Sequence, residues 1–159
     1  MTNLEYEHSF NVKNIEPYID FCKNNGFVEI SVVSQNRIVF ENKHNNKIIA
    51  RLTTEFFDNN NTCHIDFKNV SSKQGDLNIS TESMPLKVKA KNKDVVLSIL
   101  STLDFVEVAN NLRTRYVYTK ENVTFEIDDY TRPQMKVVAI EGKKEEVEFV
   151  YNQVKNLSN

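Results

Sequence analysis

The chain is poor in the residues that mark several common protein classes. With 3 glycines and 3 prolines in 159 residues, it is neither collagen-like nor a low-complexity linker. Its two cysteines, Cys22 and Cys63, stand far apart with no second Cys or His at metal-ligand spacing. Neither a disulfide framework nor a zinc site is expected, and both thiols are read as reduced. No apolar run approaches the roughly 18 residues that cross a bilayer, and the start MTNLEYEHSF holds no apolar signal-peptide region. A cytoplasmic protein without a membrane partner is therefore expected. Charge of one sign is also lacking: 20 basic and 22 acidic side chains leave a net charge of -2. No bulk cationic field attracts nucleic acid, so any anion site must be local. Gly-rich phosphate loops, nucleophile elbows and H-E-x-x-H helices are absent from the sequence.

What is present is 40% apolar and 26% charged residues in a length that suits one domain, residues 1–159, with one core. The chain also repeats itself once. Phe27-Val28-Glu29-Ile30 recurs 78 residues later as Phe105-Val106-Glu107-Val108, and the block from Gln35 to Phe40 recurs as Arg113 to Tyr118. A short helical pattern precedes each block: Tyr18, Ile19 and Cys22 in the first, Val96, Leu97 and Leu100 in the second. Asn14 and Asn92 stand where caps are expected. Each half reads strand, helix, strand, strand.

The expected strands cover residues 4–12, 27–40 with a break inside, 47–56, 62–68, 86–90, 105–118, 122–128 and 134–141, with loops at 59–61 and 71–77. Helices are expected over 15–25, 93–103 and a C-terminal stripe of Val147, Val150, Tyr151, Val154 and Leu157. Strand side chains alternate faces, and here one face of each strand is charged. Glu5 and Glu7 oppose Leu4 and Tyr6; Arg113 and Arg115 oppose Leu112 and Tyr116; Glu126 and Asp128 oppose Phe125 and Ile127; Asp66 and Lys68 oppose Ile65 and Phe67. A sheet with one wet face produces this pattern, and so does a closed barrel whose lumen is charged and whose apolar face lies outward under helices. Eight twisted strands favour closure, since an open sheet that wide leaves long edges exposed. The fold class is then α+β: an eight-stranded antiparallel β-barrel with a few flanking helices, built from two similar halves. Cations and carboxylates facing one another in a lumen suit a polyanion held with a divalent cation.

Glu5-Tyr6-Glu7 resembles the E-x-E-x-K signature of CYTH-domain proteins, the triphosphate tunnel metalloenzymes. The stretch LDFVEVANNLRTRYVYTKENVTFEIDDYTRPQMKVVAIEG resembles the family's later basic pair, aspartate strand and E-x-E strand. The resemblance covers nearly the whole chain. It implies a triphosphate-containing small molecule in the barrel, magnesium or manganese as cofactor, and barrels that often pair, hence a possible homodimer. Glu5, Glu7, Asp128 and Glu141 match the metal carboxylates, while Arg51, Lys68, Arg113 and Arg115 match the phosphate-binding cations. Glu82 corresponds to a further acidic position, and Glu126 has lumen parity without a motif.

Three positions depart from the pattern. Ser9 stands at the signature lysine, Ala139 at the first glutamate of the late pair, and Thr53 or Ile49 at the second arginine of the early pair. Phosphoryl transfer depends on aimed charge, so each loss weakens turnover more than binding. The resemblance implies a metal-dependent triphosphatase; the alternatives are an inactive nucleotide- or polyphosphate-binding relative and, less favoured, an adenylyl cyclase. His8 has outward parity, His64 shares parity with Asp66 and Lys68, and His44 lies in a turn. Tyr6, Tyr116 and Tyr118 belong to the apolar face.

Overall fold

A strand that is oily on one side and charged on the other must bury both faces differently, and the backbone does so by closing the sheet on itself. The computed structural model describes residues 2–157, without the side chains at 2, 3, 71 and 74. In chain order the elements are β1 (Thr2–Asn11), α1 (Glu16–Asn24), β2 (Val28–Asn42), β3 (Asn45–Phe57), β4 (Asn60–Gln74), β5 (Leu77–Ser83), β6 (Leu86–Lys87), a 3-10 turn (Ala90–Asn92), α2 (Lys93–Thr102), β7 (Phe105–Lys120), β8 (Val123–Arg132), β9 (Gln134–Gly142) and α3 (Lys144–Val154). The strand order is β3-β2-β7-β8-β9-β1-β5-β4, every neighbour antiparallel, and β4 pairs back onto β3. The result is the expected closed eight-stranded barrel with three helices. β6 only adds two pairs beside β4, at His64 and Ile65.

The eighth strand is not the expected one. Residues 86–90 shrink to the two-residue β6 and the 3-10 turn, because Pro85 precedes them and cannot donate to a ladder. Their place is taken by β5, LNISTES, a segment of small polar residues with weak intrinsic strand preference. It is strand because β1 and β4 clamp it from both sides. The expected 71–77 loop narrows to a turn at 75–76, and the Asn run at 59–61 mostly belongs to β4. The break expected inside 27–40 is absent: β2 is continuous and absorbs irregularity as register shifts near Ser31 and Phe40. Asn92 does precede α2, but it makes no side-chain cap, and Ile15 rather than Asn14 precedes α1.

The offset of 78 maps α1 onto residues 94–102 and β2 onto 106–120, almost coincident with α2 and β7. These two strands are neighbours, and Gln35 pairs with Arg113, its own repeat equivalent. An antiparallel pair of equivalent positions is what an approximate two-fold axis between the halves produces. The apolar faces lie outside the barrel, as two layers rather than the one core expected from length. Phe125, Ile127, Val138 and Ile140 lie beneath Tyr18 and Cys22 of α1 and Val147, Val150 and Val154 of α3. Phe40, Ala50, Leu52, Ile65 and Val88 lie beneath Leu100 of α2. Two layers follow from a charged lumen, which separates the oily faces of opposite walls. Among the described residues no helix is long and apolar enough to cross a membrane.

Candidate functional site

β1 and β9 are adjacent with Glu7 opposite Glu141, and Glu5 lies two residues away on the same face. One carboxylate oxygen from each of Glu5, Glu7 and Glu141 falls within 4.8 Å of the others. Burial raises Glu141 well above the ordinary carboxylate range, and the charges of Glu126, Glu5 and Glu7 raise it further against Arg115. Glu5 is also raised, by burial first and then by Glu82, although Lys68 opposes the shift. An all-oxygen set of clustered carboxylates fits a hard divalent cation such as magnesium or manganese. Gly142, which follows Glu141, is held at φ 151°, and a Cβ there would lie 2.2 Å from the Asn122 carbonyl oxygen. The bare residue lets β9 pass the β7–β8 turn. A cavity of ≈ 390 Å³ opens at this end, lined by Glu5, Thr124, Glu141 and Lys143 among others.

Beside the carboxylates stands Lys68 of β4. Its ammonium donates to Glu5 at 3.0 Å and approaches Glu82 at 2.9 Å and Glu7 at 3.7 Å. Burial alone would depress it, but the three glutamates outweigh that and raise it. Arg51 of β3 bridges Asp66 at 2.5 Å and Glu82 at 2.9 Å. Burial would raise Glu82, yet Arg51 and Lys68 hold it down at about 2.

Further along the lumen, Asp128 accepts from Arg113 Nη1 at 2.8 Å and from Arg115 Nε and Nη2 at 2.8 Å each. Burial opposes its ionisation, but these guanidiniums win and lower it. Of the four acidic positions matched to metal, three therefore come together, and Asp128 instead anchors the arginine pair. Arg115 also pairs with Glu126, whose parity alone had placed it in the lumen. Arg113 reaches Tyr130 and Gln35, while its Nη2 is buried with no hydrogen-bond partner among the described residues.

Arg37 of β2 is the residue that motif matching passes over. It is the repeat equivalent of Arg115. Each faces a β-strand neighbour by register: Arg115 meets Asp128, and Arg37 meets Thr53. Arg37 Nε donates to the Thr53 hydroxyl at 3.0 Å, and among the described residues it makes no ion pair with a carboxylate. Burial, then the charges of Arg115, Arg113 and Arg51, push it down to about 9. An arginine keeps its proton under physiological conditions, so this depression expresses a charge buried first and then crowded by converging guanidiniums.

The departures are also placed. Ser9 and Ala139 are direct register partners on β1 and β9. His8 lies outside the lumen, its ring stacked on Tyr151 of α3 at 3.9 Å. His64 is half-buried with lumen parity, lowered by burial. A cavity of ≈ 590 Å³ lies between α1 and α3 on the outer surface and touches none of the lumen residues.

No protein-family model matches the chain, and no curated protein matches it by sequence. Solved structures match it in three dimensions. The PH1819 protein of Pyrococcus horikoshii OT3 superposes with a TM-score of 0.71 at 19% identity, over 96% of this chain and 89% of that one. A candidate adenylyl cyclase from Hippeastrum with a dominant triphosphatase activity gives 0.64 at 14% identity, over 96% and 87%. The chain has the CYTH-type barrel fold. A chain of the Schizosaccharomyces pombe Mediator head module shares this barrel, with a TM-score of 0.66 at 9% identity over 100% and 97%. At such identities the likeness establishes architecture, and the chemistry must be argued from the residues.

Proposed function

We propose that this CYTH-type barrel binds a triphosphate-containing small molecule in its lumen together with magnesium or manganese, and hydrolyses the terminal phosphate. The observation that carries the reading is the inner face of one closed barrel, which presents a three-glutamate cluster at one part and four arginines at another, one of them, Arg37, without a carboxylate partner among the described residues. Glu5, Glu7 and Glu141 would hold the cation, which supplies charge neutralisation and polarises phosphoryl oxygens when bound. Arg37 and the unpartnered Nη2 of Arg113 are donors ready for phosphate oxygens. Arg51, Lys68 and Arg115 supply further positive charge, and each must share itself with carboxylates already present. Hydrolysis is preferred to cyclisation because no residues for base and ribose recognition stand out. The dominant triphosphatase activity of the Hippeastrum neighbour agrees with that preference.

A second reading is a binding protein without turnover. Ser9 and Ala139 favour it, since both leave the lumen short of aimed charge, and the Mediator neighbour lends it the precedent of a barrel inside an assembly. Thermal unfolding with tripolyphosphate plus magnesium tests the shared core of both. Ligand at 100 times its dissociation constant should add about 2.7 kcal/mol, and Arg113→Ala with Arg115→Ala should abolish that shift. No shift with the wild-type chain would reduce the lumen to a wet interior. Phosphate release from tripolyphosphate, ATP and thiamine triphosphate then separates hydrolase from binder.

A further inference from the structure

Outside the barrel, the ≈ 590 Å³ cavity between α1 and α3 is built unlike the lumen. Its floor is aromatic. Phe21 of α1 and Phe27 just before β2 both pack on the fully buried Phe125, at ring-centre distances of 6.0 and 5.1 Å, so the floor extends the first apolar layer. Phe149 of α3 lines another side and is 66% exposed, a large ring left in water. Spaces of this size, mostly apolar with a few polar groups, hold small organic molecules.

The charges around it are one-sided. Glu121, Glu145 and Glu146 line the cavity against a single cation, Lys120. That lysine is already committed: its ammonium donates to the Asn25 carbonyl at 2.8 Å and lies 5.9 Å from the Phe27 ring centre. Among the described residues none of the three carboxylates forms an ion pair. Glu146 takes one long hydrogen bond, 3.4 Å from the Asn122 amide, and its Oε2 is buried with no partner. The last torsion of a glutamate is soft, so a small rotation turns either oxygen toward the cavity. A place in the first turn of α3 suits Glu145 and Glu146 to the helix dipole. It gives no account of Glu121, which comes from the turn after β7, or of the aromatic floor.

We propose that this cavity is a second ligand site, for an organic ammonium with a flat apolar body. The body lies on the phenyl rings, and the ammonium stands among the three carboxylates with the ring faces adding their own attraction for a cation. An organic anion of the same shape is rejected, because it meets three like charges. The site shares no residue with the lumen and stands independently of the function proposed above.

The chain contains no tryptophan, so indole emission belongs to an added ligand alone. Titration of the full chain into tryptamine should give a saturable blue shift as the ring leaves water. Indole-3-propionate, the same ring on a carboxylate arm, should bind about tenfold or more weakly. Glu146→Gln and Phe149→Ala should each weaken tryptamine by about tenfold while leaving the far-ultraviolet spectrum unchanged, since neither side chain is fully buried. Amide shifts caused by tryptamine should gather on α1, α3 and the turn at 121–122. Absence of saturable binding to the wild-type chain overturns the proposal. So do equal affinities for the amine and the acid, a Glu146→Gln chain that binds tryptamine as the wild type does, or shifts gathered around Glu5, Glu7 and Glu141 instead.

Discussion

Thr53 and Asp128 hold corresponding places opposite Arg37 and Arg115, and this one difference sets the polarity of the lumen. Where Asp128 stands, it accepts from two guanidiniums; where Thr53 stands, fully buried, the Arg37 guanidinium donates to a hydroxyl and, among the described residues, pairs with no carboxylate. Thr53→Asp should therefore neutralise Arg37. The expected outcome is a higher melting temperature without ligand and an affinity for tripolyphosphate weakened by about tenfold or more, read by calorimetry. Unchanged affinity would show that Arg37 does not touch the anion. Much of this site was legible at the level of single letters. Alternation put Glu5, Glu7, Asp66, Lys68, Arg113, Arg115, Glu126 and Asp128 on one face, and the repeat aligned Arg37 with Arg115. What alternation could not supply was partnership. That Asp128 serves arginines while Glu141 joins Glu5 and Glu7 depends on which strands are neighbours, which closure of the barrel alone decides.

At the scale of elements, strands with bulky alternating residues announced themselves, while β5 did not. Its Leu77 and Ser80 are buried by neighbours far away in sequence, so local preference had little to say. The helices act as struts on the outer wall. Leu100 of α2, 1% exposed, fills the layer formed by Phe40, Ala50, Leu52, Ile65 and Val88. Leu100→Ala should cost about 2–5 kcal/mol in urea unfolding, because the barrel wall cannot collapse into the space left. Ligand affinity per folded molecule should stay constant, since this layer is separated from the lumen by the sheet. A large loss of affinity in the folded variant would mean that the wall transmits strain inward.

For the whole molecule, stability rests on two outer apolar layers and an inner web of ion pairs. Glu82 is held at about 2 and Asp128 below its usual range, so folding favours their ionised forms. That contribution is fully present above the unfolded carboxylate values near 4 and is lost as pH falls through the folded ones. Circular dichroism should show acid unfolding between about pH 4.5 and 2, with the midpoint moved upward by Glu82→Gln, which strands Arg51 and Lys68 with fewer carboxylates. Glu141 works in the opposite sense: its raised value means that ionisation burdens the fold as pH rises, a burden that a bound divalent cation would relieve. The Ser9–Ala139 contact carries a wider lesson. An unpaired charge at either position would stand buried against a neutral partner, whereas two facing neutral side chains leave nothing stranded. One rung of the tube can thus go without charge on both strands and cost the wall nothing.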